Sequence, residues 1–383
     1  MKILVVSPTL SSYPFLRLMC LRLVELGHEV HVAAAGFAFG EDIDLGEGVS
    51  YHDVPMPRGA NPLTHLRAAR ELRRLVDELQ PDLVDVHYSA AMLSAALART
   101  SAWPRTTAII QGLRFPTLSG PRGHVERSVE SWAARRMDEA VVLTADDLEA
   151  LEQNGVTNAS LLESCGFGCD IVRFDRDRFS AADKAQIRAD LGLAPDEFVV
   201  IYVGRFVAFK GFDVTVRAFD SARSRAANVR LLLCGVPDSL HPSGLSDAEA
   251  QALDQNEQVQ RLGWVKDMER VLVVSDLCIF PSTREGMPVN LMEASSMGVP
   301  IITCDSRGCR EVVRHGETGL VLPPHDPEAL ADAMVDLVDD RARLQALQDN
   351  ALASRARFDR RHFVDERVAA MTGGHAATTQ GRV

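Results

Sequence analysis

No stretch of this chain reaches the about 18 consecutive apolar residues that a membrane-crossing helix needs, so any membrane contact is expected to be peripheral. The opening Met1-Lys2 runs straight into Ile3-Leu4-Val5-Val6-Ser7-Pro8, too short an apolar region for a secretory leader, and reads as a first strand. Basic charge is also scarce: 41 Lys and Arg stand against 53 Asp and Glu, a net −12. Nucleic acid is thereby excluded as the main partner, because neutralising phosphates needs a basic footprint. The seven cysteines (Cys20, Cys165, Cys169, Cys234, Cys278, Cys304, Cys309) are odd in number and sit mostly within apolar runs. They read as buried free thiols of a reducing compartment, and neither Cys165/Cys169 nor Cys304/Cys309 has a His or Cys partner at zinc-site spacing. No Gly-x-Gly-x-x-Gly turn follows the first strand, which argues against a nicotinamide oxidoreductase. Internal repeats are lacking too.

What is present is ordinary globular sequence, 46% apolar and 25% charged, and 383 residues are enough for two cores. The first half alternates apolar runs (2–7, 29–34, 83–86, 107–110, 140–143) with amphipathic stretches (14–26, 63–79, 90–99, 123–136, 145–153). Strand, crossover helix, strand is the pattern of a parallel sheet, so this half is expected to be Rossmann-like. A polar crossing lies near 168–180, followed by a helix over 181–191 and the breaker Gly192-Leu193-Ala194-Pro195. Strands at 198–203, 229–234, 258–262, 277–281 and 299–304 then repeat the architecture. The expected division is 1–168, 175–357, a helix over 358–372 packing back on the first domain, and a frayed tail at 373–383. Charge is uneven: between Arg58 and Arg136 twelve Arg face seven acids, a local +5 that is either a solvated face or an anionic-surface patch.

Two loops carry chemistry. Gly204-Arg205 follows the strand ending at Val203, and Lys210-Gly211 follows after four intervening residues. A fork-shaped guanidinium and a compact ammonium at the carboxyl edge of a parallel sheet, where open α/β sheets bind ligands, suit a diphosphate. After the strand ending at Pro281 comes Thr283-Arg284-Glu285-Gly286-Met287-Pro288-Val289-Asn290-Leu291-Met292-Glu293-Ala294. Pro288 fits the first position of a helix, which would bring amino-terminal amides to the same edge, where they favour phosphate. Glu285 before that helix and Glu293 inside it can face one cleft and accept hydrogen bonds from sugar and ribose hydroxyls. Each carboxylate alone is as well explained as a surface or helix-start charge; the four together are harder to dismiss.

With those residues in view, the second half resembles glycosyltransferase family 4, whose diphosphate-binding Arg and Lys and whose E-x7-E motif match Arg205, Lys210, Glu285 and Glu293. Gly168-Cys169-Asp170-Ile171-Val172-Arg173-Phe174 resembles the family's interdomain segment, and Gly319-Leu320-Val321-Leu322-Pro323-Pro324 its last strand. Asn61-Pro62-Leu63, Pro81 to His87, Gln111-Gly112-Leu113 and Ser306 to Glu311 resemble the capsule and O-antigen branch. The resemblance implies a GT-B fold, two Rossmann-like domains with parallel sheets facing across an interdomain cleft. It implies a retaining, metal-independent hexosyl- or N-acetylhexosaminyltransferase without cofactor, with a nucleotide diphosphate sugar, UDP first, as donor. The acceptor would be a lipid-linked saccharide of surface polysaccharide synthesis, reached from the cytoplasm by peripheral contact with the anionic inner membrane.

Carried over by residue, Arg205 and Lys210 would hold the diphosphate with Gly204, the backbone at Pro288, and amides of Gly286, Met287, Val289, Asn290 and Leu291. Glu293 would bind ribose, Glu285 the donor sugar, and the segment from Gly263 to Val265 would lie near the base. Ser11, Ser12, His87 and Gln111 would face the acceptor. Two departures stand out. Gln111 replaces the family's His and cannot serve as a base near pH 7, which leaves His87 as the nearest candidate. The loop Pro8 to Pro14 lacks the Gly-Gly common in the wider family. Asp175-Arg176-Asp177 mimics a metal-binding Asp-x-Asp but reads as surface. A soluble metabolite as acceptor, or a nucleotide-sugar-binding protein without catalysis, are the alternatives.

Overall fold

The computed structural model describes residues 1–36, 44–57, 59, 61–226, 228–237 and 243–373. Of the expected tail, all but Gly373 lies outside the described residues, as does Arg58 of the Arg-rich stretch. The chain divides into two compact units, Met1–Phe167 with Arg361–Val383, and Gly168–Arg360.

The first unit is a seven-stranded sheet of β1 (Lys2–Thr9), β2 (Glu29–Ala35), β3 (Val49–Asp53), β4 (Leu83–His87), β5 (Arg105–Ile110), β6 (Glu139–Val142) and β7 (Ala159–Leu161). Its order is β3-β2-β1-β4-β5-β6-β7, every pair parallel. The second has six strands, β8 (Phe198–Val203), β9 (Val229–Cys234), β10 (Val259–Gly263), β11 (Leu277–Phe280), β12 (Ile301–Cys304) and β13 (Gly319–Leu322), ordered β10-β9-β8-β11-β12-β13, again all parallel. Both are therefore the doubly wound sheets read from the alternation of apolar runs and amphipathic stretches. In each, the order reverses beside the first strand and opens a crevice at the carboxyl ends, between β1 and β4 and between β8 and β11.

Central strands are apolar on both faces because helices cover both, and Ile3 to Val6 are wholly buried. The helix Pro62–Leu79 shows how sequence sets the crossovers. His65, Ala68, Ala69, Leu72, Leu75 and Val76 recur at helical spacing and are its buried face. Asn61 caps its start by accepting from Leu63 N at 3.0 Å, Pro62 occupies its first turn, and Gln80 ends it in the left-handed region at φ 49°. Burying Leu72, Leu75 and Val76 contributes about 1.5–3 kcal/mol each.

Some elements differ from expectation. Strands β3 and β7 flank the first sheet, half-exposed, and carry no apolar run to announce them. The helix expected through 327–357 is two, Pro327–Asp339 and Arg341–Ala353, because Asp340 leaves helical backbone (φ −94°, ψ 80°). Its carboxylate then accepts from Arg343 N at 2.9 Å and starts the second helix. Pro288 is the cap residue before the helix Val289–Ser296 rather than its first turn. The helix expected over 181–191 is Ala181–Asp190, and the second unit also holds the helices Phe212–Arg223, Asp247–Asp254, Met268–Leu272 and Cys309–Val312.

The last helix, Arg360–Thr372, joins the first unit from Arg361 onward. Glu366 accepts from Glu163 N and Ser164 N, both at 2.8 Å. Arg367, 2% exposed, reaches the underside of the sheet and meets Asp85 Oδ1 at 2.9 Å. Burial alone would push the Asp85 carboxyl up, but Arg367, with His87 and Thr107, holds it well below the usual carboxylate range. All seven cysteines are free thiols, six of them buried and Cys165 partly so. Among the described residues no helix is long and apolar enough to cross a membrane.

Candidate active site

The switch point between β8 and β11 brings together three of the four charged residues singled out in the second half, Arg205, Lys210 and Glu285. After β8 the chain turns through Gly204, Arg205 and the short 3₁₀ turn Ala208–Lys210. Gly211 then takes φ 73°, where a Cβ would run into Pro281 O, so glycine is required for the two loops to touch. Phe209 O accepts from Thr283 N at 2.9 Å and Ser282 Oγ at 3.0 Å, and Tyr202 OH donates to Arg205 O at 2.9 Å. These bonds lace the β8 loop to the β11 loop before any charged group is considered.

On that frame Lys210 Nζ meets both oxygens of Glu285, at 2.6 and 2.8 Å, and Ser282 Oγ lies 2.6 Å from the same carboxylate. Arg205, exposed, lies over the Phe209 ring at 5.4 Å, with Lys210 Nζ at 5.6 Å. Ser282 O in turn accepts from Ser306 Oγ at 2.6 Å and Cys304 Sγ at 2.8 Å, and Arg307 Nε donates to Glu285 O at 3.3 Å. The β12 loop thus braces the segment that carries Glu285.

The helix Val289–Ser296 starts beside this group, tied down by Asn290 Nδ2 donating to Val203 O at 2.7 Å. No side chain caps it, so its first amides are available to an anion. Gly286, Met287 and Val289 are partly exposed, Pro288 and Leu291 buried. Glu293 does not share partners with Glu285. It stands apart, in the field of Arg173, Arg360 and Glu269, and burial pushes its carboxyl up to about 7 despite the two cations. Arg173 pairs with Glu269 at 2.7 Å and donates to Lys266 O at 2.6 Å. These three residues line an open pocket of about 480 Å³ with Asp170, Val172, Arg178 and Asp267. At the edge of that region β10 ends in Gly263 (φ 66°), followed by Trp264, 79% exposed, and Val265. Trp264 lies inside the segment that the sequence reading placed near the base, and a tryptophan at the carboxyl edge of a parallel strand is itself a signal.

In the first unit, Ser11 and Ser12 lie in the 3₁₀ turn Leu10–Phe15 after β1, with Ser12 Oγ 3.3 Å from Thr9 Oγ1. His87 ends β4 wholly buried, its Nε2 2.9 Å from Asp85 Oδ2 and its ring stacked 6.3 Å from Phe167. That is the environment of a core histidine. Tyr88 takes φ 73° (ψ 146°), a conformation that side-chain-bearing residues avoid and that only its surroundings can impose. Gln111 is partly buried; the loop beyond it is held from behind, where Glu130 Oε2 accepts from Arg114 N at 2.9 Å and Phe115 N at 3.1 Å. Tyr88 and Glu130 gave no signal in sequence, since a backbone angle and a buried carboxylate are products of tertiary contact. Asp175, the first residue of the Asp-x-Asp mimic, accepts from Asp177 N at 3.0 Å and pairs with Arg355 at 3.1 Å.

Two family models match the chain: "Glycosyl transferase 4-like domain" over residues 14–162 and "Glycosyl transferases group 1" over 197–340. Between them they leave only the start, the crossing and the end. The capsular polysaccharide biosynthesis glycosyltransferase CapM of Staphylococcus aureus is 23% identical over 344 residues, 88% of each chain. The D-inositol 3-phosphate glycosyltransferase of Rhodococcus erythropolis is 30% identical over 270 residues, 68% of this chain and 59% of that one. Among solved structures, HepE of Anabaena in complex with UDP superposes with a TM-score of 0.79 at 20% identity, covering 97% of this chain and 100% of that one.

Proposed function

This chain belongs to the family 4 glycosyltransferases, with their two-domain GT-B fold, and from that premise we propose that it moves a hexosyl or N-acetylhexosaminyl group from a nucleotide diphosphate sugar, UDP first, to a hydroxyl of a lipid-linked saccharide. The observation that carries the reading is the clamp of Lys210 on Glu285 at the β8/β11 switch point, beside an uncapped helix start. A cation pre-placed there can leave its carboxylate for a diphosphate, while Arg205 approaches as a fork and the amides of Gly286, Met287, Val289 and Asn290 complete the cradle, Leu291 N donating to Pro288 O at 3.2 Å to close the first turn. Glu285, released from Lys210, then turns to the donor sugar, Glu293 takes the ribose hydroxyls, and Gly263 and Val265 flank the base. In the first unit, Ser11, Ser12, Gln111 and, if its burial is relieved, His87 meet the acceptor.

Transfer is read as retaining and metal-independent. The bond from the anomeric carbon to the distal phosphate oxygen breaks with its electron pair on that oxygen. The acceptor oxygen bonds the same carbon, and its proton passes to the leaving phosphate. That route asks no base of Gln111. Surface-polysaccharide synthesis on the cytoplasmic face of a membrane is favoured by the likeness to CapM. A soluble acceptor is the second reading, favoured by the likeness to a D-inositol 3-phosphate enzyme.

Thermal unfolding with a panel of nucleotide diphosphates and nucleotide sugars, chelator present throughout, tests the proposal. One nucleotide class should raise Tm in wild type, by mass action on the folded state, and not in Lys210→Ala. No shift with any of them would remove the donor site and the reading with it.

A further inference from the structure

We propose that Arg284 is a further donor-site residue that holds the leaving diphosphate, and that Phe209 is the post that positions it. The inference rests on the donor-site reading above. Arg284 stands between two anchored neighbours, Thr283, whose amide donates to Phe209 O at 2.9 Å, and Glu285, clamped by Lys210. Its guanidinium carbon lies 4.6 Å from the centroid of the Phe209 ring, closer than Arg205 at 5.4 Å or Lys210 at 5.6 Å. Three cations from two separate loops therefore converge on one aromatic ring at the switch point.

A ring face attracts each cation, but cations brought together repel one another, and the arrangement gains most when a multivalent anion sits among them. Phe209 and Arg284 are partly exposed and Arg205 is exposed, so a ligand can reach them. Two helices begin at this edge without a side-chain cap, Phe212–Arg223 behind Gly211 and Val289–Ser296 behind Pro288, and both favour negative charge there. Contact with the ring holds the planar Arg284 fork in place, so that little ordering remains to be done when phosphate arrives.

The chemistry separates Arg284 from a residue that merely binds donor. A nucleotide sugar carries about two negative charges on its diphosphate; the released nucleoside diphosphate carries about three above a pKa of about 6. The added charge appears on the distal phosphate oxygen as the glycosidic bond breaks. A cation placed for that oxygen is worth more in the transition state and product than in the ground state.

Titration calorimetry of wild type, Arg284→Gln, Arg284→Lys, Phe209→Leu and Lys210→Ala with UDP, GDP, ADP and dTDP, and with the glucose conjugate of each, tests this. Arg284→Gln is expected to weaken the preferred diphosphate by about tenfold or more and its glucose conjugate by less than about threefold. Arg284→Lys should recover part of the loss, and Phe209→Leu should reproduce it without a change of charge. Affinities in Arg284→Gln equal to wild type, or an equal loss for both ligands, overturn the role of Arg284, while loss in Lys210→Ala leaves the donor site standing. A wild type that binds none of the nucleotides overturns both.

Discussion

At the scale of single residues the second unit holds two carboxylates of opposite character. Glu285 is charge-paired with Lys210, whereas Glu293 is pushed up to about 7 by burial from an ordinary value of 4.5. Between those two values the folded protein retains a proton that the unfolded chain has released, so stability falls as pH rises through that window. Allowing for its partial exposure, the loss is on the order of 2 kcal/mol by pH 8. Glu293→Gln, a mimic of the protonated form, should match wild type near pH 4.5 and gain in Tm over it as pH rises to 8; parallel Tm curves would mean an unperturbed carboxyl. If ribose hydroxyls donate to this carboxylate, affinity for the nucleotide sugar, whose diphosphate does not titrate in this range, should also drop in wild type between pH 7.5 and 5.5, and the variant should be flat. Lys210 and Glu285 were legible in the sequence because their spacing from strand ends placed both at one sheet edge. The burial of Glu293 was not, since it depends on Arg173, Arg360 and Glu269, 120, 67 and 24 positions away in the chain.

Among the elements, the last helix is held to the first unit by a buried charge. Arg367 and Asp85 are 282 residues apart in sequence, and Asp85 also meets His87 and, at 2.5 Å, Thr107 Oγ1. Removing one partner leaves the other charged and dry, so Arg367→Met should destabilise by about 3–5 kcal/mol. Adding Asp85→Asn, which keeps hydrogen-bonding capacity without the charge, should recover much of it; denaturant unfolding of the single and double variants measures both. A double variant no better than the single would place the cost in lost contact area rather than stranded charge. Helix positions and central strands were readable from periodicity, as the capped and amphipathic Pro62–Leu79 illustrates. Strands β3 and β7 were not, because half-exposed edge strands carry little apolar signal, and neither was the break at Asp340, where a local side-chain bond outcompetes helix continuation.

For the whole molecule, the question is where it works. In the Arg-rich stretch, Arg73 donates to Ala98 O and Arg136 to Ala96 O, both at 2.8 Å, and Arg135 to Asn154 O at 2.9 Å, so part of that positive charge is structural. Arg67, Arg70 and Arg74 lie exposed on the helix Pro62–Leu79, with Leu63 74% exposed at its start. Near an anionic bilayer each such charge contributes about 1 kcal/mol. The protein should sediment with vesicles rich in phosphatidylglycerol and not with phosphatidylcholine alone, and Arg67→Glu, Arg70→Glu and Arg74→Glu combined should abolish it. Wild type left in the supernatant with both lipids would favour the soluble acceptor.

The sequence by itself determined two doubly wound domains and the placement of Arg205, Lys210 and Glu285 in loops at the carboxyl edge of the second sheet, with Glu293 in the helix that follows, because apolar period and strand-to-loop distance are local properties of the chain. Only the tertiary structure decided that Glu285 is clamped by Lys210, that three cations share the Phe209 ring, that His87 is buried, and that Arg367 anchors the last helix. Those contacts join residues 75 to 282 positions apart, and such distances in sequence are closed only when the sheets assemble.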